Sequence, residues 1–356
     1  MLKDKKCENC PFKWRDCKLC YIRENNFIDV VEETYIPNIL FTIVLTRRCN
    51  YRCEYCAMKF ENKDILKNVV DKFIDILKKF RKQIWSLKLE FFWWEPLMRF
   101  DVIKYMVDNS NWYNIWYTVV TNWEFLDEEK INFMERNNFE VVFSVSYKTF
   151  KLLNKKINFF KRINKKNIII NFILEPRFVD KLFDLFKFLI ELWFRKITIL
   201  PVYYTKTWNK EQFVLLEHLL IKIKKFYRIF NKINKDEPLE IFYVRTNKEF
   251  EYNIPKEDLE FILDRNGNIY ADYETELYLL NDFVPDKVYS LKDLYLGNIL
   301  DDKFSFIDVI LKRRKFDIMG IMKKIVNYLG IKDNLIELWR IMKKYNVNVE
   351  SNIELN

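Results

Sequence analysis

From residue 39 onward, short runs rich in β-branched and aromatic residues alternate with longer stretches whose apolar residues recur at three and four. Six runs read as strands: ILFTIVLT (39–46), LKLEFF (87–92), IWYTVVT (115–121), EVVFSVS (140–146), NIIINFIL (167–174) and KITILPV (196–202). Helix-period segments such as 67–83 and 180–192 lie between them. Strand and helix alternating in this way predicts parallel strands joined by right-handed crossovers. Six units predict an α/β fold, an open or partial (β/α)6 TIM-like barrel with its chemistry at the C-terminal strand ends.

After about residue 235 the rhythm changes. LEFILDRNGNIYADYETELYLL (259–280) predicts a hairpin about the turn Asn266-Gly267, and the segments 305–316 and 334–345 predict amphipathic helices. The organisation expected is an N-terminal cysteine segment (1–34), a core (35–235) and a C-terminal α+β extension with terminal helices (236–356).

Composition narrows this picture modestly. Half of the 356 residues are apolar, enough for a sizeable core. The start MLKDKKCENC lacks the apolar stretch of a secretory signal, and no apolar run approaches the roughly 18 to 20 residues that cross a bilayer. A cytoplasmic protein without membrane contact is expected. The net charge is +10, with positive residues spread along the chain. Abundant lysine, asparagine, isoleucine and phenylalanine beside scarce alanine and glycine match an AT-rich gene, so the charge does not by itself imply a nucleic-acid partner.

The seven cysteines bring in chemistry. They form two groups, Cys7, Cys10, Cys17 and Cys20, and Cys49, Cys53 and Cys56, which in an intracellular chain points to metal rather than disulfides. The first group, CxxC then six residues then CxxC, suits tetrahedral thiolate coordination of zinc or an iron–sulfur cluster. The second follows directly on the first predicted strand. Three thiolates there can hold three irons of a [4Fe–4S] cubane and leave the fourth open to a ligand. Zinc more often takes paired CxxC knuckles or histidine, and the single histidine, His218, lies in the helical run LLEHLLIKI.

The segment CNYRCEYC, with Tyr55 before the last cysteine, resembles the radical S-adenosylmethionine (radical SAM) enzymes, whose CxxxCxxC signature follows strand one of a partial (β/α)6 barrel. The resemblance covers roughly residues 35 to 235. It implies a [4Fe–4S] cluster on Cys49, Cys53 and Cys56, and SAM bound at the open iron. In that family the second strand ends in Gly-Gly-Glu-Pro. Here LEFFWWEPLM places Glu95 and Pro96 in register, with Trp93 and Trp94 where glycines belong. The resemblance makes Glu95 a ligand of the SAM amino group and the 93–96 segment part of the cofactor wall. It also suggests SAM contacts from Tyr55, Thr121, Asn122, Ser144, Ser146 and Asn171.

Tryptophan recurs at such places. The chain has ten tryptophans and only four glycines, against a usual glycine share of about 7 per cent. TVVTNWEFLDEE resembles the family's TNG turn with Trp123 in the glycine's place. NSNWYNIWYTVVTNW, ELWFRKITIL and KTWNKEQ also put tryptophan where a turn or junction calls for glycine. These letters read as glycines encoded by UGA, which some bacterial lineages translate as glycine. As written, the chain is expected to bind SAM poorly.

FILDRNGNIYADYE followed by SLKDLYLGNI resembles the SPASM or twitch extension of peptide- and protein-modifying radical SAM enzymes, but lacks its cluster cysteines. The function implied is reductive cleavage of SAM to a 5′-deoxyadenosyl radical that abstracts hydrogen from a peptide or protein, with electrons from a donor such as flavodoxin or ferredoxin. The alternatives are an RNA or small-metabolite substrate, or a non-catalytic metal-binding barrel that has lost SAM binding.

Overall fold

A computed structural model describes residues 39–56, 58–81, 84, 86–110, 115–147, 149–150, 156–162, 165–202, 208–243, 259–271 and 290–314, with 337–338, 340–342 and 344 near the end. The cysteines at 7, 10, 17 and 20, residues 272–280 of the hairpin segment and half of the 334–345 segment lie outside these residues.

All six expected strands form: β1 Ile39–Ile43, β2 Leu87–Phe91, β3 Ile115–Thr121, β4 Glu140–Ser146, β5 Ile168–Leu174 and β6 Lys196–Pro201. Each pairs in parallel with the next. The helices between them are α1 Lys67–Phe80, α2 Phe100–Ser110, α3 Glu128–Arg136, α4 Ile157–Arg162 and α5 Leu182–Glu191, and α6 Lys210–Ile233 follows β6. An Asn209 and Gln212 capping box starts α6, each side chain accepting from the other's backbone N–H at 2.9 Å.

The sheet is larger than the six-strand pattern predicts. β7 Glu240–Tyr243 adds in parallel beyond β6, and β8 Leu259–Leu263 adds in parallel to the other side of β1. β9 Asn268–Ala271 and β10 Tyr295–Asn298 then continue antiparallel, giving one open sheet ordered β10-β9-β8-β1-β2-β3-β4-β5-β6-β7. β7 is too short to stand out as an apolar run, and the β8 to β1 pairing joins segments far apart in the chain. The β8–β9 turn is built on Asp264, whose carboxylate accepts from the backbone N–H groups of Asn266 and Asn268, while Gly267 takes a φ of 85°. A further helix, α7 Phe306–Arg314, packs against this part of the sheet.

Side chains divide the sheet into two unlike faces. Ile39, Phe41 and Ile43 on β1, Leu87, Leu89 and Phe91 on β2, and Val141, Phe143 and Val145 on β4 are all buried. Phe41 meets Phe73 of α1 edge-on and stacks on Phe261 of β8 and Phe306 of α7, at 5.0, 5.1 and 6.1 Å between centroids. Helix α1 meets this face with Val69, Val70, Phe73, Ile74, Leu77 and Phe80, the stripe its 3.6-residue period predicts. The opposite face carries Thr42, Lys88, Glu90, Thr118, Glu140, Ser144, Asn171 and Thr198. Several of these are half-exposed, as expected of residues lining an open barrel interior. No described helix is long and apolar enough to cross a membrane.

Truncating Phe41 to alanine should cost about 3–5 kcal/mol, because the ring is fully buried between three others. Val214→Ala, on the exposed side of α6, should change stability by no more than about 0.5 kcal/mol. Urea unfolding of the two variants measures the contrast, and similar losses would contradict this packing.

Candidate active site

The cysteine segment leaves β1 at the C-terminal edge of the sheet and is pinned before the first thiol. Asp64 accepts from the Thr46 hydroxyl at 2.6 Å and from two guanidinium nitrogens of Arg48 at 2.9 and 2.7 Å, and Arg99 pairs with it at 3.1 Å. Backbone bonds from Arg47 to Lys63, and from Ile65 to Leu45, run alongside. The loop itself is fastened to neighbouring strand ends. The Tyr51 hydroxyl donates to Glu124 beyond β3 at 2.7 Å, and Arg177 beyond β5 bridges Glu54 at 2.8 Å and buried Glu175 at 2.9 Å.

Cys49, Cys53 and Cys56 form no disulfide, and each is partly exposed. The Cys49 sulfur accepts from the Tyr51 backbone N–H at 3.4 Å and from the Asn122 amide at 3.7 Å, and the same amide donates to Asn50 at 2.7 Å. Burial pushes the Cys49 thiol up, the Tyr51 N–H opposes it, and the Glu95 charge pushes it further up. Burial also raises the Tyr55 phenol, which bonds to Cys53 and Ser146. The loop thus brings Tyr55 and Ser146 together. Ser146 also exchanges hydrogen bonds with Thr149. Ser144 and Asn171 sit opposite each other on β4 and β5 on the open face, away from the cysteine segment's own contacts.

Glu95 is fully buried and holds three strand ends together. Its carboxylate accepts from the Thr121 hydroxyl at 2.7 Å, the Asn122 backbone N–H at 2.8 Å and the Leu97 backbone N–H at 3.0 Å, while its own N–H donates to the Arg48 carbonyl at 3.1 Å. Burial raises its pKa to about 7, against the lowering effect of those three donors. Thr121 is buried on the helix-facing side and reaches Glu95, whereas Asn122 faces the loop. Pro96 opens the 3₁₀ turn Pro96–Arg99 that Glu95 caps.

Trp93 and Trp94 carry φ of 73° and 51°, the left-handed region that suits glycine. Such a conformation costs a non-glycine residue on the order of 1–3 kcal/mol. Both indoles are buried beside the site. The Trp94 Nε1 donates to the Lys59 carbonyl at 2.9 Å, and the Arg47 guanidinium lies 5.1 Å from its ring. Trp123, at φ 57°, is also fully buried. Trp116 and Trp208 do not follow the expectation of glycine-like turns. Trp116 lies within the β3 ladder, and Trp208 donates to the Val202 carbonyl at 2.7 Å and stacks on Phe213.

The donor set suits a cubane cluster. Three thiols lie on one loop, and a cubane takes each thiolate at a separate iron. The space between the Lys59 carbonyl and the Arg47 guanidinium suits a second ligand less well, because the Trp94 indole occupies it. Asp64, Tyr51, Glu124, Glu175 and Arg177 were not marked by the sequence pattern. Only the adjacency of Glu54 and Tyr51 to the cysteines hinted at the loop's anchors.

Residues 43–175, which include the three thiols, Glu95 and Asn122, match the radical SAM superfamily. The fold is also similar to that of solved structures. A solved structure of polyhistidine-tagged anSMEcpe with bound AdoMet has a TM-score of 0.59 at 14% identity, covering 88% of this chain and 99% of that one. Native anSMEcpe with bound AdoMet and the Kp18Cys peptide follows at 0.56 and 13%, covering 86% and 100%. Streptococcus suis SuiB bound to the precursor peptide SuiA gives 0.50 and 15%, covering 70% and 61%. No curated protein matches by sequence. The span 43–175 is thus similar to the radical SAM superfamily, a class whose members use a [4Fe–4S] cluster and SAM.

Because the folded pKa of Glu95 exceeds that of an unfolded glutamate, its protonated form favours the fold. That stability is fully present below about pH 4.3 and is lost as pH rises through 7. The loss amounts to about 3 kcal/mol. Unfolding free energies measured from pH 5 to 8 should therefore fall less steeply in Glu95→Gln than in the parent; equal slopes would refute the burial of this charge.

Proposed function

We propose that Cys49, Cys53 and Cys56 hold the [4Fe–4S] cluster and that SAM binds between it and Glu95, for reaction with a peptide or protein substrate in the open barrel. The observation that carries this reading is the position of three cysteines, none in a disulfide, at the C-terminal end of β1, inside the matched span. When bound, the cluster and SAM together supply a 5′-deoxyadenosyl radical that takes a hydrogen atom from the substrate.

The residues of this chain prepare that site. Asp64 and Arg99 hold the entrance of the loop, and Arg177 holds its middle through Glu54, so the thiols are set by contacts that do not depend on metal. Asn122 directs an amide N–H at the Cys49 sulfur, which favours the thiolate. Glu95, with one carboxylate oxygen engaged by a single donor, is placed to accept from an ammonium, and a cation there would lower its raised pKa. Ser144, Asn171 and Thr198 offer a polar row on the interior face for substrate or cofactor. Support for a peptide substrate comes from the shared fold with anSMEcpe and SuiB, both solved with peptides. Reduction by a flavodoxin or ferredoxin, and zinc or a second cluster on Cys7, Cys10, Cys17 and Cys20, complete the proposal.

Anaerobic reconstitution tests the cluster. Replacing Cys49, Cys53 and Cys56 with alanine should remove one cubane's iron, sulfide and visible absorbance while leaving any metal on the N-terminal cysteines; retention of all iron would refute the assignment. With strong reductant and SAM, a peptide pool from host lysate should raise 5′-deoxyadenosine formation several-fold, and host RNA should not. Stimulation by RNA alone would overturn the peptide reading.

A further inference from the structure

Five non-glycine residues of the described chain hold a left-handed φ, and four are tryptophan: Trp93, Trp94, Trp123 and Trp193, with φ of 73°, 51°, 57° and 69°. The described chain has only six tryptophans. Bulky residues are outliers in this region, whereas glycine enters it without a steric penalty and asparagine is tolerated. Chance placement would not gather the least suited side chain at the positions that most need none.

The helix ends supply an internal comparison. After α5, the Phe194 N–H donates to the Leu189 carbonyl at 3.1 Å and the Trp193 N–H to the Ile190 carbonyl at 2.8 Å, the paired bonds of a Schellman motif with Trp193 at its left-handed position. After α3, the Phe139 N–H donates to Met134 at 2.9 Å and the Asn138 N–H to Glu135 at 3.1 Å, with Asn138 at φ 54°. One end uses a residue such motifs accept. The other uses an indole that is 61% exposed and so has little burial to compensate its backbone. At 123 the opposite defect appears, since the fully buried indole leaves its Nε1 without a hydrogen-bond partner among the described residues. Trp116 and Trp208 show no left-handed backbone, so the effect belongs to particular positions and not to tryptophan in general.

We infer that positions 93, 94, 123 and 193 are glycine in the protein its native host makes, each encoded by UGA and translated as glycine. The inference stands on backbone geometry and does not need the proposed function. Its consequence falls on the site: glycine at 94 vacates the space between the Lys59 carbonyl and the Arg47 guanidinium that the indole now fills.

Protein purified from the native host, cleaved after lysine and arginine and read by tandem mass spectrometry, decides the matter. The peptides 89–99, 105–130 and 188–195 are expected to carry glycine at 93 and 94, at 123 and at 193. Tryptophan at any of these four positions would overturn the inference. In full-length recombinant protein made as written, Trp193→Gly should raise the thermal midpoint by a few degrees while Trp116→Gly lowers it. A fall in both would count equally against the reading.

Discussion

A buried carboxylate joins the ends of three parallel strands. Glu95 binds the last hydroxyl of β3, the first backbone N–H beyond it and the 3₁₀ turn after β2, while its own N–H reaches back to the loop leaving β1. Burying such a group is costly unless donors surround it, and here they do. The arrangement fixes how the cysteine loop lies over the strand ends. It also leaves a poised acid next to the thiols, whose raised pKa makes its charge responsive to any cation that approaches.

The two faces of the sheet divide the remaining work. Phenylalanine and branched aliphatic residues on one face pack against helices and supply stability, so the other face is released from core duty. Thr42, Glu90, Thr118 and Glu140 stand in register across four strands there, with Thr42 donating to Glu90 at 3.1 Å and Lys88 pairing with Glu140 at 3.3 Å. A polar interior bounded by a rigid apolar exterior suits an enzyme that must admit a substrate yet hold its reactive groups still.

The fold and site were legible in the sequence to different depths. Strand runs showed clearly because parallel strands covered on one face are rich in β-branched and aromatic residues, and the observed β3 and β4 agree with the runs to the residue. The cysteine loop was legible because thiolate spacing is local chemistry. The clamp on Asp64 and the Arg177 pairing with Glu54 were not, since each joins residues separated by more than a dozen positions whose types are ordinary polar and charged ones. The tryptophans fall between these cases. Trp93, Trp94, Trp123 and Trp193 were legible as misplaced, while Trp116 and Trp208 looked alike in sequence and are accommodated by a strand and by a carbonyl at 2.7 Å.

Read alone, the string of residues settles the periodicities, and through them the six core strands and their helices, together with the triad of thiols placed after the first strand. These are local properties, set by side-chain volume, branching and spacing along a few residues. Only three-dimensional packing could show that β7 and β8 extend the sheet on its two sides and that Thr121 turns toward Glu95 while Asn122 turns toward Cys49. Packing also sorted out which indoles sit on left-handed backbone. Those outcomes depend on contacts between distant segments and on the dihedral angles that such contacts impose, neither of which a linear order of side chains records.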